Sequence, residues 1–224
     1  MKTVLIVGAS RGIGLEFARQ YAAEGHRVLA TYRRSEDGER LRALGAQTLA
    51  LDVLDAGSRA AFVQALAEER IDIAILSAGI YGPTTEGVEP PDPAEFDRVM
   101  RTNVLAPMAL MPALAPLMVA PGGKLAVLSS RMGSTTLMNS TYGWLYRASK
   151  AALNNALKAA SLAFAARGLV CIAFHPGWVR TDMGGPDADL DVIDSVASMR
   201  EVLARANGSH NGKFLNYNGE HLAW

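Results

Sequence analysis

Short runs of β-branched and apolar residues recur along the chain, separated by longer stretches in which apolar side chains return every three or four positions. The short runs predict strands at Thr3 to Val7, Arg27 to Tyr32, Gln47 to Leu51, Ile71 to Leu76, Lys124 to Ser129, Leu169 to His175 and Lys213 to Tyr217. The longer stretches predict helices between most of them, one beginning near Asp55 and one from about Thr141 to Arg167. Strands that alternate with helices need crossover connections, which lay parallel strands side by side and cover both faces of the sheet. The expected fold class is α/β, a doubly wound parallel sheet. No internal repeat and no Pro-, Gly- or Ser-rich linker divides the sequence, so one domain spanning 1–224 is expected. Two stretches read as irregular surface, Tyr81 to Pro93 and Gly184 to Asp191. Ligands of open α/β sheets sit beyond the carboxyl ends of the strands, and both stretches follow such ends.

Composition changes this picture in a few places. Lys plus Arg number 22 and Asp plus Glu 22, so there is no global basic field to hold a phosphate backbone, and no nucleic-acid partner is expected. The lone Cys171 lies in an apolar run and has no internal disulfide partner, which fits a reducing compartment. Strand-like sequence from about Thr3 leaves no room for a leader, and the chain reads as cytoplasmic. Val104 to Ala120 carries no charge, but Pro107, Pro112 and Pro116 interrupt it. It reads as deep core or a subunit interface rather than a membrane span.

Directly after the first strand comes Gly8-Ala-Ser10-Arg11-Gly12-Ile13-Gly14, followed by the helical pattern Leu15, Phe17, Ala18, Tyr21, Ala22. Glycines let the backbone approach a pyrophosphate, and a helix N-terminus offers it free N–H groups and partial positive charge. Placed between strand and helix, this loop predicts a dinucleotide site and a Rossmann-like sheet. Tyr146 and Lys150 stand four residues apart, on one face of the helix read from about Thr141.

The spacing G-x-x-x-G-x-G resembles that of the short-chain dehydrogenase/reductase family, and further motifs follow in that family's order. They are Asp52-Val53 after the third strand, Asn103-Val-Leu-Ala-Pro107, Ser129-Ser130 at a strand end, Tyr146-Arg-Ala-Ser-Lys150, and Pro176-Gly177 with Thr181. The match spans essentially the whole chain. The segments around Ser130 and at Asn211 to Glu220 are similar to the C-factor and sniffer-type carbonyl reductase subgroup. Two departures stand out: Val7 where the family has Thr, and Leu76-Ser77-Ala78-Gly79 for Asn-Asn-Ala-Gly, which puts side-chain bracing of the central strands in question.

The resemblance implies hydride transfer between a nicotinamide and a small-molecule carbonyl or alcohol, with no metal. It implies cofactor contacts at Gly8, Ser10, Arg11, Gly12, Ile13, Gly14, Arg33, Asp52, Val53, Ala78, Gly79, Pro176, Gly177, Val179 and Thr181, besides Tyr146 and Lys150. Asp52 would meet the adenine, unless it only caps the helix near Asp55. In this family an acid at the end of the second strand favours NAD(H); here the sequence is Ala30-Thr-Tyr-Arg33-Arg34, with no acid before Glu36. Arg binds a 2′-phosphate bidentately where a carboxylate repels it, so NADP(H) is expected over NAD(H), with Arg11 as a second cation. The family also pairs the 104–120 helix across a two-fold axis, which implies a homodimer or homotetramer.

Reduction of a carbonyl leaves charge on oxygen, so the site needs a hydrogen-bond donor and a proton source there. A free tyrosine titrates near 10, too high for ready exchange at neutral pH. A cation about 5 Å from the phenolate, at an effective dielectric of about 20, favours ionisation by about 3.3 kcal/mol, and Lys150 is expected to lower the pKa of Tyr146 accordingly. The resemblance adds Ser130 as donor to the carbonyl oxygen, Lys150 on the nicotinamide ribose, and Asn103 holding a relay water. Ser134 has the family's usual spacing to Tyr146, but Ser130 ends a rigid strand and is the serine chosen, with Thr135 to Leu145 read as an inserted loop. Gly177 to Gly185 is expected to form a lid hinging at Gly184 and Gly185. Trp178, Met183, Tyr81 and Trp144 either line an apolar pocket or pack in core or interface. The rival reading is a nucleotide-binding regulator with incidental chemistry, suggested by the missing Asn-Asn pair alone.

Overall fold

The computed structural model describes residues 1–224. Seven strands form one sheet in the order β3-β2-β1-β4-β5-β6-β7. They are β1 (Thr3–Val7), β2 (Arg27–Tyr32), β3 (Gln47–Ala50), β4 (Ile73–Leu76), β5 (Lys124–Leu128), β6 (Val170–His175) and β7 (Lys213–Asn216), all parallel. Between them run α1 (Gly12–Ala23), α2 (Ser35–Ala43), α3 (Ala56–Ala65), α4 (Pro93–Met100), α5 (Ala106–Leu114), α6 (Trp144–Ala163) and α7 (Val192–Arg205).

The central strands β1, β4, β5 and β6 are almost wholly buried and mostly apolar because both faces are covered, whereas the edge strand β3 (Gln47–Ala50) is partly exposed. Alternate β1 residues serve opposite layers. Val4 and Ile6 pack with Phe17 and Tyr21 of α1 and Met199 and Leu203 of α7, whereas Leu5 and Val7 pack with Phe62 of α3, Leu110 and Leu114 of α5 and Leu153 and Leu157 of α6. Cys171 lies in the second layer, where burial pushes its thiol up to about 11. The strand order reverses between β1 and β4, and the loops leaving their carboxyl ends diverge there, opening a crevice.

Two expected elements differ. The segment Val104 to Ala120 is not one helix: a π-helical turn (Arg101–Leu105) joins α4 to α5, and a 3-10 turn (Ala115–Leu117) ends it. No helix is long and apolar enough to cross a membrane. Helix α6 starts at Trp144 rather than Thr141, because Gly143 has φ 64° and the Thr141 hydroxyl donates to the Glu86 carbonyl at 2.6 Å instead of entering the helix.

Candidate active site

A cleft of about 640 Å³ lies over the carboxyl ends of the strands, lined by the glycine loop, the ends of β2 and β4, and Tyr146 and Lys150 of α6. The glycine loop is held from below. Gly8 N–H donates to the Thr31 hydroxyl at 2.8 Å, and a Cβ on Gly14 would stand 2.0 Å from the Gly8 carbonyl oxygen. Only glycine lets α1 pack so close, and no side chain caps the helix, so its first N–H groups face the cleft uncommitted. That is the cradle a pyrophosphate needs. Ser10, Arg11, Gly12 and Ile13 line the cleft with Gly8. Gly14, Gly177 and Val179, expected among the contacts, are outside its lining: Gly14 packs on Gly8, a Cβ on Gly177 would meet Leu190, and Val179 is buried and bridged to Leu190.

At the end of β2 the two arginines differ. Arg33 lines the cleft, is exposed and makes no ion pair. Arg34 contacts Asp37 at 3.1 Å and Glu36 at 3.2 Å, and Arg40 contacts Asp37 at 2.6 Å. Asp37 is an acid in the cleft that the strand-end reading passed over. The Arg34 hydrogen bond, opposed by burial and reinforced by the charges of Arg34 and Arg40 and by Ser10, holds its carboxyl below the usual range. The three-residue spacing Arg34, Asp37, Arg40 at the start of a helix was the available signal. Arg11 pairs with Asp182 across the cleft mouth at 3.0 Å, with side chains 71% and 76% exposed. Asp52 and Val53 line the cleft; Asp52 accepts from Leu54 N at 2.9 Å, and the cap of α3 is Asp55, not Asp52.

Ala78 and Gly79 line the centre, with Pro176 and Thr181 opposite. Bracing at the β1–β4 junction comes from the backbone: Ser77 N and Ala78 N both donate to the Val7 carbonyl, at 2.8 and 3.1 Å. The fold therefore tolerates Val7 and Leu76 in place of hydrogen-bonding side chains.

Asn103, Ser130, Tyr146 and Lys150 come from three segments, none more than 8% exposed; Tyr146 and Lys150 line the cleft, whereas Asn103 and Ser130, expected at the site, lie outside its lining, Ser130 behind the Tyr146 phenol and Asn103 behind Gly79 and Lys150. The Asn103 amide lies in the π-helical turn; it accepts from Ile80 N at 2.9 Å and donates to the Ile80 carbonyl at 2.8 Å and to Ser149 Oγ at 3.0 Å. Its Oδ1 and Lys150 Nζ both stand 3.4 Å from where a Cβ on Gly79 would be, so a side chain at Gly79 would wedge between them. Lys150 Nζ donates to the Leu128 carbonyl at 2.8 Å and stands 5.5 Å from the Tyr146 ring centroid. The hydroxyl of Ser130 lies beside the Tyr146 phenol and accepts from Met132 N at 3.1 Å. Ser134 is used otherwise: its hydroxyl donates to the Ala223 carbonyl at 2.7 Å and accepts from Leu137 N at 3.1 Å.

The electrostatics reverse one expectation. Tyr146 is pushed above the ordinary tyrosine range, by burial first, with Ser130 opposing and Tyr81 adding to the rise. Burial also pulls Lys150 down to about 8. The Lys150 charge does not offset this desolvation, because burial penalises that charge and its ammonium donates to the Leu128 carbonyl rather than to the phenol. The lid expectation changes too. Gly184 is pinned, its N–H on Thr181 Oγ1 at 3.2 Å and its carbonyl on Trp178 Nε1 at 2.8 Å, so it is no free hinge. Met183 lines the cleft and Trp178 does not. Asn154 was missed: it accepts from Ser129 Oγ at 2.5 Å and donates to the Gly133 carbonyl, tying α6 to the serine turn.

Residues 2–189 match the model of the short chain dehydrogenase family. The C-signal of Myxococcus xanthus is 37% identical over 155 residues, 69% of this chain and 93% of that protein. Galactitol 2-dehydrogenase of Agrobacterium fabrum is 35% identical over 80% of this chain and 70% of its own length. A carbonyl reductase from Pseudomonas aeruginosa PAO1, solved with NADP, superposes with a TM-score of 0.89 at 37% identity and covers 100% of both chains. The carbonyl reductase Sniffer of D. melanogaster does so at 0.90 with 27% identity, again over 100% of both. With the glycine cradle, the buried Tyr146 and Lys150 and the doubly wound sheet, these likenesses make the chain an oxidoreductase that belongs to the short chain dehydrogenase family.

Proposed function

We propose that the protein is an NADP(H)-dependent carbonyl reductase or alcohol dehydrogenase acting on a small-molecule carbonyl or hydroxyl compound. The observation that carries this reading is the buried pair Tyr146 and Lys150 lining one end of a cleft whose other end holds an uncommitted Arg33, with Ser130 packed behind the Tyr146 phenol and Asn103 behind Gly79 beside Lys150. The residues fit the cofactor: the open α1 N-terminus suits a pyrophosphate and Arg33 a 2′-phosphate. When bound, the nicotinamide supplies or accepts the hydride.

The chain's own groups do the rest. In reduction, Tyr146, kept protonated by burial, gives its proton to the carbonyl oxygen as negative charge develops there. The Ser130 hydroxyl donates a hydrogen bond to the same oxygen. Lys150, buried beside the ring, stabilises the phenolate left behind, and Asn103 Oδ1, across Gly79 from Lys150, would hold a water through which a proton from solvent passes by way of Lys150 back to Tyr146. Burial that raises the acid's pKa suits the reducing direction, since the group must arrive protonated.

The test is a matched set of variants assayed with NADPH against a panel of carbonyl compounds. Tyr146→Phe is expected to abolish turnover with cofactor affinity nearly unchanged. Ser130→Ala should cost about a hundredfold or more in kcat, as loss of one oxyanion donor does, and Ser134→Ala little. A crippling Ser134→Ala would assign the catalytic role to Ser134. The likeness to the C-signal favours a second reading, a nucleotide-binding signalling protein; NADPH binding with no turnover across the panel would select it.

A further inference from the structure

We infer that Tyr81 is a positioning residue for Tyr146, its ring lying flat on the Tyr146 ring and fixing the direction in which that phenol presents its proton. The inference rests on the reading of Tyr146 as proton donor. The two rings are 4.5 Å apart between centroids and 22° from parallel, a stacked pair. Lys150 Nζ also approaches this ring, 5.5 Å from its centroid. A tyrosine turns about two side-chain bonds, and the hydroxyl at its tip moves furthest for a given rotation. A flat neighbour against the ring restrains that motion, whereas the one hydroxyl beside it, Ser130, restrains only the tip.

Tyr81 is equipped for this because the chain on either side of it is fixed. The preceding residue, Ile80, has both its N–H and its carbonyl bonded to the Asn103 amide. On the other side, the Thr85 carbonyl accepts from Gly143 N at 2.9 Å. Gly143 also makes room: a Cβ there would stand 2.3 Å from the Tyr81 hydroxyl. That hydroxyl is buried beside the Tyr142 phenol and makes no well-formed hydrogen bond, so the ring stack is the principal contact that holds the residue in place. Asn103 thus touches the site twice, beside Lys150 and through the residue that precedes Tyr81.

The stack has an electrostatic consequence as well. The titratable groups around the Tyr146 phenol are Lys150 on its own helix and Tyr81 on the facing loop, with Tyr142 and Arg147 beyond Tyr81. Tyr81 shields Tyr146 from water and adds to the rise in its pKa. Losing the ring therefore lowers the pKa of Tyr146, and reduction, which needs the protonated phenol, fails at a lower pH.

Tyr81→Leu is expected to lose between about tenfold and a hundredfold in kcat, the effect of misplacing a reacting group by about an ångström, with NADPH affinity within about twofold of wild type. Its alkaline limb should shift to lower pH, and the ultraviolet absorbance of tyrosinate, taken as a difference from the same protein carrying Tyr146→Phe, should show Tyr146 titrating earlier. Tyr81→Phe keeps the stack and should recover kcat to within about threefold. If Tyr81→Leu no longer binds NADPH, Tyr81→Met, which fills similar space without an aromatic face, takes its place with the same expectations. Wild-type kcat and alkaline limb in Tyr81→Leu or Tyr81→Met would overturn the inference, as would a Tyr81→Phe that binds NADPH but has under about a tenth of wild-type kcat. An active Tyr146→Phe would instead remove the reading beneath it.

Discussion

Arg33 and Arg34 are adjacent in sequence, yet one is spent and the other free. Arg34 is drawn to Asp37 and Glu36, while Arg33 projects into the cleft without a carboxylate partner. A free guanidinium has its full hydrogen-bonding capacity for a phosphate; one already neutralised by two acids has less. Arg33→Ala is therefore expected to narrow the preference for NADPH over NADH by about 1.5 to 3 kcal/mol, the worth of a hydrogen bond to a charged group. Titration of both cofactors into wild type and variant measures it. Tighter binding of NADH by the wild type would show the end of β2 to be misread. Asp37 explains why residue-level reading stops short here. Its carboxylate was sought at the strand end, but it comes from the first turn of α2 and is buried between two arginines.

Strands and their ends were legible because apolar runs and glycines report directly on burial and close approach. All seven strands fall where the pattern puts them, with ends shifted by at most two residues, as at β4, where Ile71 bridges to Met118 outside the strand. What local pattern does not carry is contact between distant segments. Ser134 binds Ala223, and Thr136 N–H donates to the Trp224 carbonyl, so the turn after β5 is held by the far end of the chain. The start of α6 was misplaced for the same reason, since Thr141 answers to Glu86. At the end of β6, His175 has a buried Nδ1 without a partner, and burial, then the nearby Arg131, pushes it down to about 4. The unfolded chain takes up this proton near pH 6.5, well before the folded one does. The stability it contributes is thus complete above about pH 6.5 and lost progressively as pH falls toward 4. Urea unfolding across that window should show the decline, and His175→Leu should flatten it. An unchanged slope would mean that His175 is wetter than the structure has it.

For the molecule as a whole, the surface of α5 and the turn before it is unusually apolar. Leu105 and Met108 are 47% and 52% exposed, and a shallow groove between α3 and α5 is lined by Ala60, Val63, Ala109, Leu110 and Ala113, with Arg59 and Gln64 as its polar members. Apolar surface of this kind favours association, and a two-fold axis lets one such patch meet its own copy. A homodimer or a homotetramer is expected at micromolar concentration, and Met108→Glu should shift it toward monomer in sedimentation. A monomeric wild type would leave these residues simply as exposed surface. The placement matters because α5 is continuous with the π-helical turn that carries Asn103. A π turn closes its backbone bonds one residue later than an α turn. The chain from Pro93 to Leu114 is thus a single rod with one residue more than a regular helix would use. Deleting that residue would yield a more regular helix and a worse protein. With Leu110, Met111 and Leu114 anchored in the core, α4 would swing by about 100°, one residue's turn of a helix, carrying Val99 out from against Gly82 and loosening the loop that holds Tyr81. Part of this site is therefore written in how many residues the chain has, and a substitution scan that leaves its length unchanged would pass over it.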